Sequence, residues 1–455
     1  MKDRFGIDWS GITGTFFWKQ PQLSRRLFFR HAGSAVGGYF LLPSRPMEAT
    51  AQAAGAAIGK AKNVIFVMMA GGPSHVDTFD LKEGSWTPGF LEPTSYGDVR
   101  WPRGLMPKLA EHMGDIALVR SVRSWAAVHE FASVWVQIGR NPISGLAKIA
   151  PHIGSVVSIE SSRTEAQMLP AFVSLNANNG PGAGYLPSEN SPFYLSPAGG
   201  GLGNAVHGPG QQAFQRRASF LQQIDAEARA SAPDPAFSEM ASFHLGARKL
   251  MYNAEISRIF TFDAAQRAEY GTTGFGNACI TARNILRANA GTRFIQITLG
   301  GWDQHQNIYQ PAANGLQNLS RTFDNGLGKL ISDLKTDGLF ESTLIVAMGE
   351  FGRTVGMPNN QGGRDHFLQQ AALVTGAGVR GGRAIGATDE EGRGVSDAGW
   401  SRNREIRAED ISATIYSALG IDWTTVRRDD PTGRGFEYVP FSDRDLYGPV
   451  HELWS

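Results

Sequence analysis

The chain has 455 residues, which is enough to bury the core of one large domain or two. Its formal net charge is only +1 and it has no block of basic residues, so nucleic acid is not an expected partner. Its one cysteine, Cys279, excludes an intrachain disulfide framework.

The N-terminal segment predicts an export signal. Residues 24–30 read S-R-R-L-F-F-R, and an apolar stretch (31–43) and small residues (48–53) follow. This is the pattern of a twin-arginine signal, with an ordinary basic amphipathic N-terminus as the alternative. The apolar stretch is too short to span a bilayer as a helix. We expect residues 1–51 to be removed and the rest (52–455) to form one periplasmic or extracellular domain, exported folded by the twin-arginine translocase.

Apolar runs of strand length alternate with predicted helices along the mature chain. The strands are predicted at 62–69, 116–122, 171–175, 293–299, 344–348 and 371–375. The helices are predicted at 211–230, 237–270, 277–288, 315–338 and 407–420. Most of the strands are apolar on both faces, which is typical of a sheet covered by helices on both sides. The pattern predicts a doubly wound α/β fold.

Two regions interrupt this alternation. Residues 176–210 are rich in Gly, Pro, Asn and Ser, which predicts a lid or substrate-side excursion, with disorder as the alternative. Residues 376–404 are rich in Gly and Arg and have few apolar positions. They predict a surface hairpin or loop.

Polar, glycine-flanked loops lie beside four of the predicted strands. The loops A-G-G-P-S-H-V-D-T-F-D (70–80), G-G-W-D-Q-H-Q-N (300–307) and G-E-F-G-R (349–353) each follow a strand, and G-G-R-D-H (362–366) precedes one. Ligands of doubly wound sheets bind beyond the carboxyl ends of the strands. The loops therefore predict one polar centre at a sheet edge.

Two of these loops place an acid and a histidine two residues apart. Asp303 and His305 project to the same side of an extended chain, where a carboxylate and an imidazole can share a metal ion. The alternative is a solvated turn in which the pair only caps a helix. His75 and Asp77 repeat the arrangement as ligands or as supporting groups, and Ser74 beside them is a hydroxyl ligand or a helix cap.

The remaining candidates come from the other loops and from a predicted helix start. Glu350 is a ligand or a turn residue, and Arg353 holds a phosphate or sulfate group bidentately or pairs with Glu350 at the surface. His366 is a better ligand than the adjacent Asp365. His129 opens a predicted helix, whose N-terminus favours an anion, or is a surface histidine. Arg364 is a second candidate for binding an anion.

The order of these motifs, closed by E-D-I-S-A-T-I-Y-S-A-L-G-I-D (409–422), resembles domain-of-unknown-function family 1501. These are exported bacterial proteins related to sulfatases and alkaline phosphatases. The resemblance implies a large mixed, mostly parallel sheet between helix layers and a two-metal site that cleaves phosphate or sulfate esters. Asp303, His305, Glu350 and His366 match metal-ligand positions of that superfamily. Asp77 can substitute for an aspartate that is missing at the first strand end.

The sequence departs from the superfamily at the position of the nucleophile. That position falls at 127–129, which has no Ser, Thr or Cys, and the nearest hydroxyls belong to Ser124 and Ser133. The segment 279–283 resembles the sulfatase C-x-P-x-R site but has Thr for Pro within a predicted helix, so we interpret Cys279 as a core residue. A metal-activated water or His129 itself remains as the nucleophile.

The sequence therefore predicts a metal-dependent hydrolase of a small anionic ester or of a sulfated or phosphorylated polymer. The divalent metal is zinc, or manganese, iron or calcium. The predicted ligands are Asp77, Asp303, His305, Glu350 and His366. The predicted catalytic residues are Arg353, which holds the anion, and His129 and His75, which move protons. The alternative is a non-catalytic exported binding protein on the same scaffold.

Overall fold

The computed structural model describes residues 58–161, 167–203, 205–206, 208–231, 244, 246–312 and 314–455. The predicted signal, 1–51, lies outside these ranges, as do residues 237–243 and 245 of the helix predicted at 237–270. Within the described part of the chain, no helix is long and apolar enough to cross a membrane.

The strands and helices of the described residues are numbered here in chain order. The strands are β1 (Asn63–Met69), β2 (Pro93–Tyr96), β3 (Val99–Pro102), β4 (Ile116–Arg123), β5 (Phe172–Leu175), β6 (Phe193–Leu195), β7 (Phe294–Leu299), β8 (Thr343–Met348), β9 (Gly352–Arg353), β10 (His366–Phe367), β11 (Gln369–Thr375), β12 (Arg383–Ile385), β13 (Ala387–Thr388), β14 (Val395–Asp397), β15 (Val426–Arg427) and β16 (Phe436–Glu437). The α-helices are α1 (Pro107–Ala110), α2 (His129–Ile138), α3 (Ile153–Glu160), α4 (Gln211–Ser231), α5 (Ala254–Ile259), α6 (Ala264–Glu269), α7 (Gly274–Ala288), α8 (Leu316–Thr336) and α9 (Ala408–Ala418).

The central sheet has eight strands in the order β12-β4-β11-β8-β1-β7-β5-β6. Strand β11 is antiparallel to both of its neighbours, β4 and β8, and the other pairs are parallel. The large mixed, mostly parallel sheet expected from the resemblance is confirmed.

The two faces of the sheet bury separate hydrophobic cores. From β1, Ile65, Val67 and Met69 pack on the face covered by α7 and α8. Val64 and Phe66 pack on the opposite face, where α2, α3 and α9 lie. Each of these side chains contributes about 1.5–3 kcal/mol by full burial. Burial on both faces explains why the strand sequences are continuous apolar runs, and it confirms the predicted helix layers.

The topology brings the four polar loops to one edge of the sheet. Strands β8, β1 and β7 are adjacent and parallel, so the loops that follow them leave from the same edge. Strand β11 runs in the opposite direction, so the loop that precedes it reaches this edge too. A short ladder, β9 with β10, pairs Arg353 with His366 and joins the third loop to the fourth.

The structure differs from the sequence-based prediction in the less regular regions. The sequence predicts one continuous helix at 237–270, and for the described residues of this range that prediction is wrong. Tyr252 adopts φ 57°, the Asn253 side chain caps α5, and Asp263 and Gln266 form a capping box that starts α6. These local hydrogen bonds stop and restart the helix. Residues 376–404 include β12, which extends the main sheet, and the β13–β14 hairpin.

Candidate functional site

One carboxylate oxygen lies at the centre of a histidine cluster. Asp303 Oδ1 is 3.0 Å from His305 Nε2, 3.3 Å from His129 Nε2 and 3.4 Å from His366 Nε2. Asp303 comes from the loop after β7, His129 from the start of α2 and His366 from β10. The Asp303 side chain is about half exposed (48%), so this centre opens to solvent.

The other ring nitrogen of each histidine is already engaged by an oxygen atom. Nδ1 of His129 lies 2.8 Å from Glu350 Oε1, Nδ1 of His305 lies 2.9 Å from Asp365 Oδ1, and Nδ1 of His366 lies 2.9 Å from the Ala127 carbonyl. Since these oxygens only accept hydrogen bonds, each Nδ1 is the donor, and this fixes each ring with its Nε2 facing the Asp303 carboxylate.

Glu350 supports His129 from behind. Its Oε1 also accepts a hydrogen bond from the Gly71 N–H at 2.9 Å, and its side chain is 3% exposed. Ser124 Oγ fixes the Glu350 carbonyl at 2.5 Å. A carboxylate on the far nitrogen of a histidine is the usual arrangement behind a metal-ligating imidazole, because it fixes the ring and raises its basicity.

The Phe351 ring packs against the rings of His129 and His366. The Phe351 ring centroid is 4.9 Å from that of His129 and 4.6 Å from that of His366. Phe351 is fully buried. Phe351 therefore fixes the orientation of the His129 and His366 rings.

Arg353 is the cation nearest to Asp303. Its Nη2 donates to Asp303 Oδ1 at 2.5 Å, and its Nη1 lies 3.3 Å from His305 Nε2. Partial burial raises the pKa of the Asp303 carboxyl, but the hydrogen bond and charge of Arg353, together with His129 and His305, outweigh it and lower this pKa to about 2. Asp303 is therefore ionised at any physiological pH.

The donor set fits a divalent metal ion. In the described part of the chain, His129, Asp303 and His366 offer ligand atoms that all lie within 4.8 Å of one another. Asp303 Oδ1 already accepts from Arg353, and three more N–H donors would exceed the lone pairs of one oxygen. His129 Nε2 is buried and has no hydrogen-bond partner among the described residues, and a cation held between these side chains would satisfy it.

The structure places two of the predicted site residues elsewhere. His75 is 2% exposed, and its Nε2 bonds to the Gly392 carbonyl at 2.8 Å. The Asp77 carboxylate is bound by Ser74, Arg364 and Tyr309 at 2.5–2.7 Å. Both side chains are buried in hydrogen-bond networks of the first loop, and their roles in proton transfer and metal binding stay predictions.

The two arginines expected to hold an anion are also engaged internally. Arg353 and Arg364 are both fully buried. Arg353 donates through Nε, Nη1 and Nη2 to the Gly72, Arg364 and Gly71 carbonyls and to Asp303. The guanidinium donors of Arg353 are thus engaged within the protein, and its bidentate binding of a substrate anion stays a prediction.

Asp303, His305 and His366 lie together, as the loop pattern predicted. Glu350 does not reach this centre directly but contacts the far ring nitrogen of His129. His129 belongs to the cluster itself, although the sequence argued for a role at a helix N-terminus. Asp365, ranked below His366, orients His305. The signal for His129 was weak, because a lone histidine at a helix start shows no partner until the sheet is assembled.

Comparisons with known proteins agree with the sequence motifs. Residues 61–439 match a family model described as "Protein of unknown function (DUF1501)". No curated protein matches the chain.

The solved structures that are similar to the chain include the following three. One is the PsFucS1 sulfatase from Pseudoalteromonas sp. (12% identity, TM-score 0.40, covering 79% of this chain and 68% of that chain). Another is a protein in the alkaline phosphatase superfamily from Vibrio parahaemolyticus (11% identity, TM-score 0.33, 80% and 67%). The third is the C-terminal periplasmic domain of EcEptC from Escherichia coli (10% identity, TM-score 0.40, 80% and 84%).

Since the family model spans most of the chain, the protein belongs to the DUF1501 family.

Proposed function

We propose that the protein is a metal-dependent hydrolase of an anionic ester, a phosphate or a sulfate. The observation that supports this most is the convergence of imidazole Nε2 atoms on Asp303 Oδ1, with each Nδ1 held by an oxygen. A solvent-open set of two histidines and one carboxylate is a common way to hold a reactive divalent ion.

The ligands in this proposal are His129, Asp303 and His366. Glu350 and the Ala127 carbonyl fix the two imidazoles. Arg353 holds the Asp303 carboxylate, so its Oδ1 stays directed at the centre. Zinc is the first choice of metal, because imidazole and carboxylate suit it, and manganese, iron and calcium are the alternatives.

His305 has a separate role in the proposal. Its Nε2 already faces Arg353 Nη1 at 3.3 Å, which weakens it as a ligand, while Asp365 holds its Nδ1. A divalent ion in the centre supplies a Lewis acid that polarises the ester oxygen and lowers the pKa of a nearby water. His305 is placed to take the proton of that water, with Asp365 stabilising the imidazolium that forms.

Water is the proposed nucleophile because the Ser124 hydroxyl is already engaged in hydrogen bonds. Ser124 Oγ donates to the Glu350 carbonyl, accepts from Gln370 Nε2 at 2.6 Å and belongs to a residue that is 9% exposed. Attack by Ser124 would break both of these buried hydrogen bonds.

A second candidate function is non-catalytic binding of metal or ligand. It is favoured by the burial of Arg353 and Arg364, which leaves their guanidinium groups unable to receive the substrate anion. On this alternative the centre holds an ion without turnover.

Hydrolysis of aryl phosphates and aryl sulfates by the zinc-loaded protein separates the candidates. We expect Asp303→Asn to lose both metal and activity, and His305→Ala to keep the metal and lose at least about 100-fold in kcat, since general acid–base catalysis contributes about 10²–10⁴-fold. Zinc-loaded protein that cleaves no ester of either type would favour the binding protein. Unchanged zinc content in Asp303→Asn would refute the proposed metal centre.

We also propose that the protein is exported folded by the twin-arginine translocase. The support is the S-R-R-L-F-F-R segment followed by a short apolar stretch. Changing Arg25 and Arg26 together to Lys should retain the protein in the cytoplasm with its leader attached. Normal export of that variant would refute the proposal.

A further inference from the structure

A buried cation already lies beside the candidate metal centre. Arg353 is fully buried, and its guanidinium is surrounded by oxygen acceptors. Nε donates to the Gly72 carbonyl at 2.8 Å, Nη1 to the Arg364 carbonyl at 3.1 Å, and Nη2 to the Gly71 carbonyl and to Asp303 Oδ1. Gly71 and Gly72 follow β1, Asp303 follows β7, and Arg364 precedes β10.

The loop after β1 has no room for an acidic ligand at this point. Gly71 has φ +111°, and a Cβ there would lie 2.5 Å from the Asp303 backbone nitrogen. Gly72 has φ +74°, and its Cβ would lie 2.7 Å from the Phe351 ring. The strand end therefore presents carbonyl groups instead of carboxylates, and these carbonyls bind the guanidinium.

The charges of the site also favour a single divalent ion. The carboxylates that contact the histidines belong to Asp303, Glu350 and Asp365, and Arg353 is the cation that contacts Asp303. These three carboxylates and one guanidinium together carry a charge of −2, which one divalent ion neutralises. A second divalent ion would leave +2 in a partly buried site, which is costly without further anions.

We propose that Arg353 is a fixed cation that takes the place of a second metal ion, so that the site binds one divalent ion per chain. The inference deepens the proposed function and rests on its metal centre. Arg353 is a positioning residue here, because it orients Asp303 and balances its charge without contacting substrate.

Metal stoichiometry tests the inference without relying on activity. Chelator-treated full-length protein is titrated with Zn²⁺, and native mass spectrometry counts the bound ions. One equivalent in the wild type and in Arg353→Lys, with none in Asp303→Asn, supports the inference. Two equivalents in the wild type would overturn it and leave the metal-dependent function standing. No bound zinc in the wild type would overturn both.

A cation-rescue experiment separates the charge of Arg353 from its shape. Arg353→Ala leaves the acceptors of Gly71, Gly72 and Asp303 facing a space the size of a guanidinium. We expect millimolar methylguanidinium to raise the melting temperature of this variant, and methylurea, which is similar in shape but neutral, to leave it unchanged. Exposed Arg103→Ala should respond to neither compound. Equal rescue by methylurea would refute a role for the charge, and if Arg353→Ala does not fold, the wild-type stoichiometry still decides.

Discussion

Replacing Glu350 by Gln tests the support of His129 with little change in shape. Glu350 Oε1 accepts from His129 Nδ1 at 2.8 Å and from the Gly71 N–H at 2.9 Å. A glutamine oxygen can accept the same two hydrogen bonds, so the substitution removes mainly the negative charge. Glu350 Oε2 has no hydrogen-bond partner among the described residues, so the glutamine NH₂ disrupts no bond there.

The expected magnitude follows from the strength of the lost charge. A hydrogen bond to a charged group contributes about 1.5–3 kcal/mol and a neutral one about 0.5–1.5 kcal/mol. The difference of about 1–1.5 kcal/mol weakens zinc binding by about tenfold, at the lower end of the 10–100-fold range for groups behind metal ligands. The apo protein should not lose stability, because a buried carboxylate with one unpaired oxygen is replaced by a neutral amide.

The assay is a zinc titration against a competing chromophoric chelator, together with thermal unfolding of the metal-free protein. The matched control is Glu130→Gln, since Glu130 is an exposed glutamate on the same helix as His129. Zinc affinity of Glu350→Gln equal to the wild type would refute the role of Glu350. A fall in apo stability as large as the loss in zinc binding would show that Glu350 acts mainly on the fold.

Three further changes test other parts of the structure. His75→Ala should lower the free energy of unfolding by about 1–3 kcal/mol, because it removes the buried hydrogen bond to Gly392. Zinc affinity should stay unchanged, and a loss of zinc affinity would indicate that His75 acts in the metal site. Gly71→Ala should lower zinc affinity, because its Cβ would displace the backbone of Asp303. Gly300→Ala should not, because the space around its Cβ is open. Equal effects of the two changes in direct zinc titrations would contradict this reasoning. Burial raises the pKa of Asp324 to about 6, above an unfolded value of about 3.9, so its contribution to stability is complete below about pH 4 and is lost as the pH rises through 6. The difference in unfolding free energy between wild type and Asp324→Asn should therefore fall by on the order of 2 kcal/mol from pH 4 to 7 in urea titrations, and a constant difference would refute the raised pKa.

The regular part of the fold could be predicted from local patterns. After Asn63 the first strand is an apolar run because both of its faces are buried, and β8 follows the same rule after Thr343. Strand β7 is mostly apolar but includes Gln296 and Thr298. The break in the helix predicted at 237–270 depends on Asn253 and Asp263. Their capping bonds compete with a continuous helix, and apolar spacing alone does not show which arrangement is more stable.

The candidate site could be predicted only in part. Asp303 and His305 are close in sequence, so their pairing could be expected from the loop itself. Whether Arg353 faces solvent or the interior depends on the carbonyls of Gly71 and Gly72, which are far away in the chain and approach it only in the assembled sheet. His129 likewise becomes a ligand candidate only when Glu350 holds its ring.

The central claim is that His129 Nε2, His366 Nε2 and Asp303 Oδ1 hold a metal ion. Anomalous diffraction at the zinc absorption edge, from crystals of the zinc-loaded full-length protein, tests it most directly. The expected result is one strong peak at about 2.0–2.2 Å from His129 Nε2, His366 Nε2 and Asp303 Oδ1. A peak bound by other residues, or zinc-saturated crystals without a peak at this cluster, would contradict the claim.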